Sequence, residues 1–452
     1  MNATDPLDSL RGVVGASHVL TGELTAGYVV DWTRRWRGQC AAVVRPADTA
    51  EVAAVVRICA GANVAVVTQG GNTGLVGGAV PEAGAIVLST ARLDDVGSVD
   101  DLSGQLTAGA GATLAAVQRS ARDAGWRYPV DLAARDTATV GGTIATNAGG
   151  HHVVRHGMTR RHVVGVEAVL ADGSVISHLG GLVKDNTGYD LAGLLCGSEG
   201  TLGVVTRARL SLVAAIDEVA VALVAFDSIE TAVGAVGRLR RHLPEVEALE
   251  LVFEDGLVAV GEVLGATPPV LGPAVVLVEA VGGPDPATAL GDAVAELDGV
   301  IDAAVADDRV RREELWRWRD HHTETIARLG ASPPHKLDVT VNIRSLPEFV
   351  HRVREVVARD APEARLWLFG HVGDGNLHVN VTGLPPDDHT VDLAVAELVA
   401  SLEGSISAEH GIGRAKRHLL GLTRSEAEIR TMRSVKEALD PQGILNPGVL
   451  IP

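Results

Sequence analysis

The alternation of apolar and polar positions changes period several times along this chain, and each change predicts an element. Residues 49–60 place apolar side chains at helical spacing behind a threonine suited to capping, which predicts a helix opened by Thr49. Residues 64–67 and 85–89 are short apolar runs on either side of a glycine-rich turn, and predict strands. Runs 106–108, 112–123 and 163–170 continue the mixture of strand and helix, and the β-branched run 201–212 closes it. Residues 1–45 read as a helical lead-in.

Near residues 211–220 the character changes. Strand-like runs at 219–226 and 275–281 alternate with amphipathic helical stretches at 229–243 and 287–297, the pattern of an α+β sandwich. A helix over 425–439 is followed by the tail DPQGILNPG, too short to be a domain. The expected fold is therefore α+β in three parts. A first domain covers 1–215, a second covers 216–420, and a C-terminal segment, 421–452, docks back on the first.

Composition narrows the function. The chain has 452 residues, enough for two or three domains, and 46% of them are hydrophobic. With 39 Lys and Arg against 57 Asp and Glu, the formal charge is −18, so the overall field attracts neither nucleic acid nor an anionic membrane. An anionic substrate would need a local cluster of cations or a metal. The cysteines, Cys40, Cys59 and Cys196, are far apart with no C-x-x-C pair, which argues against iron–sulfur and redox-disulfide chemistry. The start, MNATDPLDSLRG, lacks a basic stretch leading into an apolar run, and no apolar run is long enough to span a bilayer; the expected location is cytoplasmic.

Glycine numbers 52, and it clusters. Gln69-Gly70-Gly71-Asn72-Thr73-Gly74, with Gly77-Gly78 close behind, follows a predicted strand and can bring backbone N–H groups against a phosphate. Val80-Pro81 follows in place of a helix, so the loop is neither a Rossmann turn nor a P-loop. The second cluster runs from Thr139 through Gly141, Gly142 and Asn147 to Gly149-Gly150, and the third is Gly197-Ser198-Glu199-Gly200. Singly each is a tight turn. Together, in one domain, they point to a long extended ligand.

A metal site is legible in the second domain. Apolar-rich runs flank Asp374-Gly375, a strong hairpin signal. With those two residues as the turn, Gly373 pairs with Asn376 and His371 lies opposite His378, close enough for both imidazoles to share an ion. Asn380 faces the same side, and Glu409-His410 offers a third ligand beside a base. Two histidines and a carboxylate suit Zn²⁺, and also Mn²⁺, Co²⁺ or Fe²⁺. Arg319 and Thr323, four apart in a helical stretch, share one face, and Lys336 follows in a loop; these are candidate anion contacts beside the plain alternative of an exposed charged helix.

The runs QGGNTGLVGG, TVGGTIATNAGG and KDNTGYDLAGLLCGSEGTLG resemble the two-part FAD-binding domain of the vanillyl-alcohol oxidase and para-cresol methylhydroxylase superfamily. GHVGDGNLH, SAEHGIG and DPQGILNPG resemble its D-2-hydroxy-acid dehydrogenase branch. The resemblance spans nearly the whole chain. It implies that Gly70, Gly71, Asn72, Thr73, Gly74 and Gly78, with Thr137, Gly141, Gly142, Asn147 and Gly149, hold FAD, and that Glu199, Gly200 and Asn446 touch it from other sides. No histidine lies in the 70–78 loop, so the flavin is expected to be non-covalent. His156 stands where relatives carry tyrosine. The resemblance also implies zinc on His371, His378 and Glu409, substrate contacts from Arg319, Thr323, Lys336 and Asn380, and His410 as general base.

The implied reaction is oxidation of a D-2-hydroxy acid to the 2-oxo acid. Two cations and a metal exceed what lactate requires, which favours a dicarboxylate such as D-2-hydroxyglutarate over D-lactate or glycolate. A metallohydrolase is the alternative from another class, though it leaves the glycine clusters without a role. Electrons would pass from the flavin to oxygen, a quinone or an electron-transfer flavoprotein, and a homodimer is compatible with all of this.

Overall fold

The computed structural model describes residues 5–243, 245–330 and 332–452, so the first four residues of the start read above lie outside it. It divides into two units, one of Met1–Gly150, Gly157–Ala215 and Glu409–Pro452, the other of His151–His156 and Ile216–Ala408.

The first unit holds two sheets. One is mixed, in the order Val19–Leu20, Cys40–Val44, Ala85–Ser89, Val66–Gln69, its last three strands parallel. The helix Thr49–Ala62 buries Val52, Val55, Val56 and Cys59, spaced at i, i+3, i+4 and i+7, in the core of this sheet. Removing each of those valines from water contributes about 1.5–3 kcal/mol. The cap is Asp48, one residue before the predicted Thr49: its carboxylate accepts the Glu51 N–H at 2.8 Å, where it also meets the helix dipole. The Thr49 hydroxyl instead donates to Glu167 at 2.6 Å.

The other sheet is antiparallel, in the order Gln105–Gly109, Val204–Ser211, Val163–Val169, Val175–Ser177. Its core takes Leu114, Val117 and Ala121 from the helix Leu114–Asp123. The C-terminal tail joins the mixed sheet. Val66 donates to the Ile444 carbonyl at 2.8 Å, Asn446 donates back to Val66 at 2.8 Å, and buried Asp440 accepts the N–H groups of Ile444 and Leu445.

The second unit is built on a seven-stranded antiparallel sheet. Its order is Val300–Ala306, Val219–Phe226, Ala274–Val281, Val246–Val252, Arg365–His371, Asn376–Thr382, His335–Thr340. The strand Val246–Val252, VEALELV, is buried along its whole length, including Glu247 and Glu250.

Two stretches fall outside the expected borders. Residues from Glu409 onward belong to the first unit, because Ile412 and Gly413 donate to the Glu199 carboxylate and Arg414 to the Val76 carbonyl. His151–His156 belongs to the second, where His156 meets Glu247 at 3.0 Å. Among the described residues no helix is long and apolar enough to cross a membrane.

Candidate functional site

In the first unit the glycine-rich segments converge. A Cβ at Gly70 would lie 2.2 Å from the Thr139 hydroxyl oxygen, and one at Gly71 would lie 1.9 Å from the Thr137 carbonyl oxygen. The loop therefore presses against the segment that leads into the short helix Val140–Thr146, with Gly141 and Gly142 in its first turn. From the other side, the Asn446 side-chain amide donates to the Gly78 carbonyl at 2.9 Å and the Glu199 carbonyl at 2.6 Å. A Cβ at Gly200 would face that same amide at 3.7 Å.

Asn72, Asn147, Glu199 and Asn446 all hold left-handed backbone conformations, unusual for residues with side chains and common at ligand clamps. The Glu199 side chain is fully engaged, its two oxygens taking the N–H groups of Ile412 and Gly413 at 2.8 Å each. Burial raises its carboxyl pKa despite these bonds. Two buried atoms at this convergence, Asn446 Oδ1 and Thr68 Oγ1, have no hydrogen-bond partner. A flat polar ligand fits such a cradle, because backbone, small residues and unpaired acceptors line it.

In the second unit the hairpin forms with a different register. The turn is the four-residue loop 372–375, since the Asp374 and Gly375 N–H groups both return to the His371 carbonyl, and Asp374 also caps the Asn376 N–H at 3.1 Å. His371 therefore pairs with Asn376, and Phe369 with His378. A slip of two residues keeps every side chain on its face. His371 and His378 become diagonal neighbours, ring centroids 5.3 Å apart.

Each imidazole is backed by a buried carboxylate. His371 Nδ1 lies 2.6 Å from Glu250 Oε1, and His378 Nδ1 lies 3.7 Å from Asp338 Oδ1. At 2.6 Å the His371 Nδ1–H is held by Glu250, which leaves Nε2 as the ligating nitrogen, the arrangement that orients histidine on a metal; the His378–Asp338 approach is longer than a hydrogen bond. Burial alone would raise the Glu250 carboxyl; His371 and Arg319 outweigh it and hold it well below the usual range. His151 stacks 5.6 Å from His371, and burial keeps its pKa far below ordinary.

Arg319 is buried, and its Nε donates to Glu250 Oε2 at 2.6 Å. The expected shared face with Thr323 is interrupted: one helix, Arg309–Asp320, ends at His321, whose ring nitrogen lies against the Arg317 carbonyl, and a second, His322–Leu329, begins. Thr323 is exposed. Lys336, expected in a loop, lies on the strand His335–Thr340 directly across from Asn380, beside the Asp338–His378 pair. Burial lowers the Lys336 pKa. The buried atoms Asn380 Nδ2 and Asn376 Oδ1 have no hydrogen-bond partner. Glu409 belongs to the first unit and accepts the Gly150 N–H at 2.9 Å, with His410 next in the chain. Sequence reasoning missed Glu250, His151 and Asn376. The signal for Glu250 was a glutamate in an otherwise apolar strand.

Comparison with known proteins agrees with these two halves. Residues 40–178 match the FAD binding domain family and residues 217–450 the family of FAD linked oxidases, C-terminal domain. A D-2-hydroxyglutarate dehydrogenase of Xanthomonas citri pv. viticola is 39% identical over 439 residues, covering 94% of this chain and 92% of the relative. A mitochondrial protein of Schizosaccharomyces pombe, assigned as a D-lactate dehydrogenase, is 34% identical, covering 92% of this chain and 83% of the relative. The solved structure of p-cresol methylhydroxylase shares the fold, with a TM-score of 0.77 at 15% identity, covering 100% of this chain and 98% of that one.

Proposed function

Because this chain belongs to the family of FAD-linked oxidases and is an FAD-dependent oxidoreductase, we propose that it oxidises a D-2-hydroxy acid, D-2-hydroxyglutarate first among them, to the 2-oxo acid. The observation that carries the reading is the pair His371 and His378, 5.3 Å apart and each backed by a buried carboxylate. Lys336, on the neighbouring strand, and Asn380, on the strand of His378, form a cross-strand pair suited to a carboxylate.

The cradle of the first unit would hold FAD non-covalently, and FAD would supply the acceptor for the substrate's Cα hydrogen. A divalent ion, zinc by its donor set, would be held by His371, His378 and Glu409 and would supply the Lewis acidity that lowers the hydroxyl pKa. Chain continuity supports the third ligand: Ala408, the last residue of the second unit, donates to the Asp338 carbonyl at 3.3 Å, and Glu409 follows it. His410, beside Glu409, takes the hydroxyl proton as general base. Lys336 and Asn380 hold carboxylate oxygens, Thr323 offers a hydroxyl donor, and Arg319 acts mainly by fixing Glu250, which in turn orients His371. The electrons leave to a separate acceptor, an electron-transfer flavoprotein, a quinone or oxygen. The metallohydrolase alternative gives the matched FAD-binding domain no purpose.

One observation favours a second reading, a monocarboxylate such as D-lactate. Arg319 is paired with Glu250, so one of the two cations counted toward a dicarboxylate is already neutralised. The deciding experiment is anaerobic mixing of the yellow protein with D- and L-enantiomers of 2-hydroxyglutarate, malate and lactate. Bleaching of the flavin by D-2-hydroxyglutarate and not by its L form supports the proposal. No bleaching by any D-2-hydroxy acid overturns it.

A further inference from the structure

We propose a second divalent-cation site in the second unit, formed by His335, His389 and Asp392. It is separate from the residues of the proposed reaction. His335 opens the strand His335–Thr340 and is buried; Asp392 lies in the first turn of the helix Thr390–Ser401; His389 is the residue before that helix and is exposed. One ligand atom from each lies within 4.8 Å of the others.

The hydrogen-bonding capacity of His335 points to an ion. Its Nε2 lies 2.9 Å from the Pro385 carbonyl, which can only accept, so Nε2 carries a proton. Its Nδ1 lies 3.0 and 3.1 Å from the two oxygens of Asp392. A neutral imidazole would then turn a lone pair toward a carboxylate, so that nitrogen needs either a second proton or a metal between the two groups. His389 makes the choice. Its Nδ1 lies 3.1 Å from Asp392 Oδ2, bringing a second imidazole nitrogen to the same carboxylate. One carboxylate between two imidazole nitrogens, one of them buried, is a donor set for zinc, with open positions left to water.

The distances suit the assignment. Bonds of about 2.0–2.1 Å at tetrahedral angles set adjacent ligand atoms about 3.3 Å apart. The gaps from Asp392 to both rings are 3.0–3.1 Å and the two imidazoles bring a nitrogen within 4.8 Å of one another, so side-chain adjustment admits the ion. Binding would put a cation between His335 Nδ1 and the Asp392 carboxylate, where a proton is the alternative. The site would clamp the strand that carries Lys336 to the helix beside it. It is structural, not catalytic, in this reading.

The test is metal stoichiometry on the full-length, FAD-loaded protein, stripped by a chelator and then dialysed against Zn²⁺. Wild type should bind two equivalents, His389→Ala one, His378→Ala one, and the double variant none. His389 has an exposed side chain, so its loss leaves the fold intact. In the His378→Ala background, Zn²⁺ should still raise the thermal midpoint, and this rise should vanish when His389→Ala is added. A His389→Ala protein that binds as much zinc as wild type overturns the site. Failure of His378→Ala alone to lose an equivalent would count against the proposed reaction centre and leave this site standing.

Discussion

Glu250 and His371 are joined by a 2.6 Å hydrogen bond between two fully or nearly buried side chains on adjacent strands. The other Glu250 oxygen takes Arg319 Nε, so one carboxylate sets both the ring orientation of a candidate metal ligand and the position of a buried guanidinium. Removing its charge leaves a buried cation unpaired, at a loss of roughly 3–5 kcal/mol. It also releases His371, and loss of such an orienting partner weakens metal affinity by about 10–100-fold. Glu250→Gln is therefore expected to lower the thermal midpoint and zinc affinity together while FAD stays bound, since FAD is held by the other unit. Midpoint and affinity both at wild-type values would refute the role.

The periodic elements of the fold were legible because their apolar spacing is regular: Val219–Phe226 and Ile229–His242 appear nearly as the pattern sets them. Val246–Val252 was not, because glutamates at 247 and 250, three apart, break strand alternation and read as the polar face of a helix. Their reason is tertiary: Glu247 meets His156, and Glu250 meets His371 and Arg319. At the hairpin, Asp374-Gly375 correctly marked the turn. Its length was hidden because Asp374 caps Asn376 and Gly375 presses on Val341, a neighbour outside the local sequence: a Cβ there would lie 2.2 Å from the Val341 carbonyl oxygen. The His371–His378 pair was legible in the hairpin pattern and the cofactor residues in motif resemblance, whereas the Arg319–Glu250 pairing joins residues 69 apart and has no local signal.

Gly71 shows why a small residue is required in the cofactor loop. The obstacle to a side chain is protein as well as ligand, since a Cβ would meet the Thr137 carbonyl oxygen at 1.9 Å. Backbone cannot yield as a flexible side chain can. Gly71→Ala is expected to push the loop off the 137–142 segment and to reduce bound FAD, read as the ratio of flavin to protein absorbance. Gly61→Ala, near the end of the helix Thr49–Ala62 and outside the cofactor loop, is the control, because a Cβ there meets nothing within 4 Å. Equal flavin content in both variants would contradict the cradle.

His322 supplies a pH dependence. Burial, with Arg319 nearby, pushes its pKa down to about 3, and its Nε2 has no hydrogen-bond partner. Between that value and the ordinary one near 6.5, the unfolded chain binds a proton that the folded chain excludes. Stability therefore rises with pH across this window and falls on acidification, by about 1.4 kcal/mol per pH unit for one such group. His322→Asn retains a donor for the Arg319 carbonyl and removes the titration. Thermal midpoints of the two proteins, measured from pH 7 to pH 4, should draw together as the pH falls. A constant gap would show that His322 does not titrate in this way.

Lys336 bears on substrate choice. Glu250 neutralises Arg319, and Lys336, across from Asn380, is the cation proposed above to hold a substrate carboxylate. Burial lowers its pKa, and a partly desolvated ammonium binds a carboxylate more strongly than an exposed one. If Lys336 holds the distal carboxylate of D-2-hydroxyglutarate, Lys336→Ala should lower kcat/KM for that acid far more than for D-lactate. A lost charge-assisted hydrogen bond of roughly 1.5–3 kcal/mol corresponds to about a 10–100-fold change. If Lys336 instead serves the C1 carboxylate common to both acids, the two substrates should lose activity equally. Equal losses would assign the monocarboxylate reading to this site, and a wild type that prefers D-lactate would do so without any variant.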